Sequence, residues 1–287
     1  MKNFIKQYPL ISFVTLSYIL GAIISYLVIG GYIPSGLIIL AATSASLSAL
    51  IIVAIAEGKI GVKKLLGQLL VWRVGIKWWF LVLFFLVPTT LIGFFITGVV
   101  IGSPLNPVNF MPIIAIIPMM LVYFVMAGLG EEIGWRGFML PRLQAKYSAF
   151  ISSLIIAVIW GVWHFPLFLY KFPGAEHMVY SDWTAKYGIV VALFFFILFN
   201  QLPWAILYTW VYNNTKGSLL LICILHGSEP WVAIFTKGFD TATMFNWTGY
   251  GVVMLICAIA VVLYNGPKNL SRTNERIIIK EDMLDIS

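Results

Sequence analysis

Charge is scarce in this sequence. Only 10% of its 287 residues are Asp, Glu, Lys or Arg, against about 25% in soluble domains. So few charges cannot cover a water-facing surface, which excludes a soluble globular protein. Cysteine is nearly absent too. Cys223 and Cys257 each lie in an apolar stretch and read as small core residues, not as a disulfide. The apolar stretch after Lys2 and Lys6 is too long for a signal-peptide core and has no A-x-A-like site behind it, so it reads as a first membrane span. No internal repeat or soluble-domain linker stands out, and residues 1–287 are expected to form a single membrane domain.

What is present is apolar length. The mean hydropathy is +0.97, and long runs occur at Ile11–Gly30, Gly36–Ala56, Trp79–Ile101 and Gly249–Leu263. A membrane-crossing helix needs roughly 20 apolar residues. The pattern predicts an all-α, polytopic bundle of about eight transmembrane helices, over residues 9–30, 35–56, 78–101, 112–143, 148–170, 188–212, 218–236 and 247–265. With both termini in the cytoplasm of a cell-membrane protein, 15 of the 18 Lys and Arg residues fall inside and only Lys171, Lys186 and Lys237 outside. The positive-inside rule thus accounts for the net charge of +7, and no nucleic-acid partner is implied. Membrane lipid is the implied environment, and oligomeric state is left open. Between the spans, Glu57–Lys77 suits a short amphipathic helix on the inner leaflet or a plain basic loop. Residues 170–187 form the longest outer loop, and 267–287 a polar cytoplasmic tail.

Ionisable groups inside a span are costly unless paired or wet, so each marks a candidate functional site. The fourth span carries Glu131, Glu132 and Arg136, the fifth His164, and the seventh His226 and Glu229. The sixth carries Asn200 and Gln201 ahead of Pro203. Adjacent residues on a helix point about 100° apart, so the two carboxylates cannot face one partner. Glu132 and Arg136 are spaced i,i+4 with the acid first, the favourable order. Arg136 can therefore neutralise Glu132 and leave Glu131 for chemistry. At 1.5 Å per residue, His164 lies roughly 24 Å, Glu131 roughly 18 Å and His226 roughly 12 Å from the inner ends of their helices. The three can meet among helices 4, 5 and 7. A Glu–His–His set in a dry environment suits hydrolysis, with histidines that orient water or hold a metal and a carboxylate that takes the proton.

At these residues the sequence resembles the CAAX-protease and bacteriocin-processing intramembrane peptidases (the Abi family), which include the type II CAAX prenyl endopeptidases. The first family motif, Glu-Glu-x-x-x-Arg, is matched by Glu131, Glu132 and Arg136. The second, Phe-x-x-x-His, is matched by Trp160 and His164, with one aromatic for another. The third, His-x-x-x-Asn, is matched at His226, but Pro230 stands in place of Asn. The motif core covers about residues 112–236, and the run 212–220 also resembles the family.

The resemblance implies an intramembrane endopeptidase that cleaves a membrane-associated protein or peptide, of CAAX type or a leader or bacteriocin peptide. By position, Glu131 would activate water, His164 would hold that water or a metal, and His226 would complete the site. Glu132 and Arg136 would support them. The family chemistry is either Zn2+-dependent, with His164 and His226 as ligands, or metal-independent. A zincin-type site is excluded because there is no His-Glu-x-x-His. Pro230 leaves a contact to be supplied by Asn200 or Glu229, and Asn200 is the expected donor because an amide can donate and an ionised carboxylate cannot. Two other readings are a non-catalytic bacteriocin self-immunity or scaffold protein, suggested by Pro230, and a proton-coupled transporter.

Overall fold

The computed structural model describes residues 2–101, 112–170, 180–232, 244–272 and 276–278. Among them there is helix and no strand. The principal helices are α1 (Pro9–Ile29), the bent pair α2 (Gly36–Ala42 and Ser44–Ala56, at 44°), α4 (Ile76–Val100), α5 (Ile116–Lys146), α6 (Ala149–Trp163), α8 (Ile189–Asn214), α9 (Leu219–Val232) and α10 (Trp247–Asn265). Two short surface helices, α3 (Gly58–Gly67) and α7 (Tyr180–Tyr187), lie between them. Five helices are long and apolar enough to cross a bilayer, or six with the bent pair counted as one. The exposure pattern is that of a protein in lipid: Phe80, Val100, Leu121, Val190, Phe194 and Leu263 all face outward. This is a multi-pass membrane protein.

The two short apolar helices, α6 and α9, carry the histidines. The 15-residue α6 spans only about 22 Å at the helical rise, short of a hydrocarbon core of about 30 Å. Pro166 is the cause of its break. It has no N–H for the Val162 carbonyl, and His164 becomes the C-cap before a further turn, Phe165–Leu169.

The long helix α5 departs from α geometry at two π stretches, Phe124–Leu129 and Ile133–Met139, on either side of Glu131 and Glu132. Such widened turns free backbone carbonyls, which then need other donors. Ser46 Oγ of α2 donates to the Leu129 carbonyl at 2.7 Å, the Cys223 thiol of α9 to that of Gly128 at 3.2 Å, and the Gln68 amide to that of Gly137 at 3.3 Å. Close approach makes these bonds reachable. A Cβ on Gly128 would lie 2.6 Å from the Cys223 carbonyl oxygen, and one on Gly134 would lie 2.8 Å from the Ala45 backbone.

Glu57–Lys77 is helical over Gly58–Gly67, with Leu65 buried and Leu66 and Leu70 exposed. It is pinned to α5 by the Glu57–Arg142 ion pair and to α8 by Gln68, whose Oε1 accepts from the Tyr212 hydroxyl at 2.6 Å. The described part of the tail is docked. Pro267 and Lys268 carbonyls accept from the Phe150 and Ala149 amides at the start of α6, while the Asn213 and Asn214 side chains donate to the Asn269 and Leu270 carbonyls at 2.8 Å each. The Asn-Asn pair in the 212–220 run thus holds the tail. Residues 273–275 and 279–287 of the tail, and 171–179 of the outer loop with Lys171, Glu176 and His177, lie outside the described residues, as does Lys237.

Candidate active site

Glu131, Glu132 and Arg136 are all buried inside the bundle, the last two completely. The i,i+4 pair forms as the spacing predicts: Arg136 Nη1 donates to both Glu132 oxygens, at 2.9 and 3.0 Å. The guanidinium is also stacked between two rings, with Cζ 4.3 Å from the Trp160 centroid and 4.5 Å from that of Tyr208. Its Nε and Nη2 have no partner among the described residues, nor does the Tyr208 hydroxyl.

Glu132 has a second partner that sequence spacing does not show. Its Oε1 accepts from His226 Nδ1 at 2.8 Å. A carboxylate already paired with arginine can only accept, so Nδ1 carries the proton and Nε2 is left for other work. That second nitrogen lies 3.5 Å from Glu229 Oε1, on the more open side of the site, where Glu229 is 31% exposed. Pro230 is the cause of this placement. It has no N–H for the His226 carbonyl, and the Glu229 amide takes that carbonyl instead, at 3.2 Å. In such a tightened turn, residues i and i+3 eclipse, which sets Glu229 over His226.

Glu131 points elsewhere. Its Oε2 accepts from the Trp160 indole N–H at 2.7 Å. One turn on, His164 Nδ1 lies 2.8 Å from the Trp160 carbonyl oxygen. The His164 backbone N–H has turned to Gly161 at 3.2 Å, so the imidazole replaces a backbone donor lost where the helix breaks. A carbonyl only accepts. His164 is therefore protonated on Nδ1 and presents a lone pair on Nε2. The imidazole of His226 packs edge-on to the Trp160 ring, 5.7 Å between centroids, so α5, α6 and α9 converge on this tryptophan.

Residues 113–232 match the family model described as type II CAAX prenyl endopeptidase Rce1-like. The matched segment runs from the start of α5 through α9, close to the 112–236 core outlined by the motifs, and contains Glu131, Glu132, Arg136, Trp160, His164, Tyr208, His226 and Glu229. The chain is also 29% identical over 151 residues to CAAX prenyl protease 2 of Methanococcus maripaludis, a match over 50% of this chain and 49% of that protein. The chain thus spans about half the length of the curated relative it matches.

Within the matched segment, the remaining predicted residue is Asn200. It lies in a third π stretch, Ile197–Gln201, just before Pro203, whose missing N–H widens the turn. Asn200 is half-buried and accepts from Gln201 at 3.4 Å. The group set beside His226 is Glu229. Among the described residues, no group of three or more His, Cys, Asp or Glu side chains is arranged to hold a metal ion. His164 and His226 alone fall short of the three protein ligands of a catalytic zinc.

Sequence reasoning missed two contacts of this candidate site. Trp160 reads as a plain aromatic exchange, although tryptophan alone among the large aromatics brings an indole N–H. Tyr208 sits in an apolar run that gives no hint of a buried arginine beside it.

Proposed function

We propose that this protein is an intramembrane endopeptidase hydrolysing a peptide bond of a membrane-associated protein or peptide, with Glu131 as the base that activates water. The observation that carries this reading is the separation of the two carboxylates. Glu132 is neutralised by Arg136 and committed to His226, while Glu131 is held, among the described residues, through one oxygen, which leaves the other for a water molecule.

In this reading Glu131 takes a proton from water as the oxygen attacks the scissile carbonyl carbon. His164 Nε2 accepts from the same water and orients it. His226, held as an imidazolium between Glu132 at Nδ1 and Glu229 at Nε2, donates from Nε2 to the developing oxyanion. The proton held on Glu131 then passes to the leaving nitrogen as the C–N bond breaks, which restores the carboxylate. A substrate reaching the site from the inner leaflet, with both termini of the enzyme cytoplasmic, fits the distribution of basic residues.

The test uses full-length protein reconstituted in lipid vesicles and offered a farnesylated CAAX-terminated peptide and, separately, leader-bearing bacteriocin peptides. Cleavage of any of these by wild type and not by Glu131→Gln supports the reading. Pro230 favours a second reading, a non-catalytic immunity or scaffold protein, because it removes a side-chain amide next to His226. Under that reading wild type cleaves none of the peptides and Pro230→Asn gains activity.

A further inference from the structure

We propose that Trp160 is a positioning residue, which fixes the Glu131 carboxylate through its indole N–H; the inference rests on the role given to Glu131 above. The second family motif has phenylalanine at this position, and a phenyl ring has no donor. Here the indole N–H reaches Glu131 Oε2 at 2.7 Å, and both side chains are buried, 2% and 5% exposed. Among the described residues it is the one hydrogen-bond donor to Glu131.

The indole is itself held in place. Arg136 lies over its face at 4.3 Å, the His226 ring stands against it at 75°, and the Tyr208 ring lies 6.1 Å away. The backbone carbonyl of the same residue sets the tautomer of His164. Trp160 thus ties the proposed base and the proposed water-holding histidine to one rigid group. A glutamate has three side-chain torsions, and in a dry site nothing else among these residues selects the rotamer of Glu131. With one oxygen bound, the other points to the water in a single geometry, and misplacement of about 1 Å at such a step costs on the order of 100-fold. This chain departs from the motif set twice, with a donor lost at Pro230 and a donor gained at Trp160.

The test compares wild type, Trp160→Phe and a protein in which the Trp160 indole is replaced by benzothiophene, which keeps the shape and substitutes sulfur for N–H. With the farnesylated peptide as probe, kcat should fall about 10- to 100-fold in both variants while KM stays within about twofold. The infrared carboxylate band of Glu131, identified by its loss in Glu131→Gln, should shift in both. Wild-type kcat together with an unmoved band in the benzothiophene protein would overturn the proposal. A wild type that cleaves nothing would instead overturn the peptidase reading, and the infrared comparison would still decide whether Trp160 holds Glu131.

Discussion

Glu132 and His226, 94 residues apart in sequence, share a 2.8 Å hydrogen bond inside the bundle. The same carboxylate carries the full charge of Arg136, whose side chain is completely buried. One acid thus joins the first motif to the third. Its neighbour, Glu131, is joined to the second through Trp160. The two adjacent acids therefore fail in different ways when changed.

Glu131→Gln keeps the shape of the side chain and removes the base. Peptide hydrolysis should fall at least about 100-fold, at the low end of general-base effects, with the melting temperature close to wild type. Reconstituted enzyme and a discontinuous peptide assay give the rate. Equal rates in the two proteins would remove Glu131 from the chemistry.

Glu132→Gln leaves Arg136 buried without its counter-charge. Removing one partner of a buried pair costs about 3–5 kcal/mol, so the thermal unfolding midpoint in detergent should drop clearly. Activity should fall with it, because His226 loses its carboxylate acceptor. A variant as stable as wild type would show that the cation–π stack alone holds Arg136.

Glu229 and Asn200 can be separated by parallel substitution. Glu229 is set against His226 by the turn at Pro230, whereas the Asn200 amide oxygen is engaged by Gln201. Loss of a contact worth one net hydrogen bond corresponds to about tenfold in rate. Glu229→Ala should lower kcat/KM by about that factor and Asn200→Ala should stay within about threefold. The reverse order would return the role to Asn200, the residue that sequence reasoning favours.

Gly128→Ala tests the crossing that brings α5 to α9. The added Cβ would sit 2.6 Å from the Cys223 carbonyl oxygen, so the helices must separate. Overpacking of this kind costs about 1–3 kcal/mol, and here it also draws Glu132 away from His226. Both stability and activity should fall. Gly67→Ala, with nothing within 4 Å of its added Cβ, is the control and should change neither.

Much of this protein was legible in one dimension. Scarce charge and apolar runs determine a helical membrane bundle, because no other unpaired arrangement of backbone survives in lipid without closing into a barrel. Spacing alone gives the Glu132–Arg136 pair, since i,i+4 neighbours meet on any helix. Motif order and buried polarity single out Glu131, His164 and His226. Tertiary structure decided the rest. Pairing of Glu132 with His226, of Trp160 with Glu131 and of Arg136 with Tyr208 depends on how helices cross and rotate. The π stretches of α5 reset which residues face inward, and no sequence period reports them. Pro166 and Pro230 are visible as helix breakers, but where the chain goes after a lost hydrogen bond depends on which donor is nearest. At His164 that donor is the imidazole, and at His226 it is the Glu229 amide. A break in a helix is written locally; the partner that repairs it comes from the packing around it.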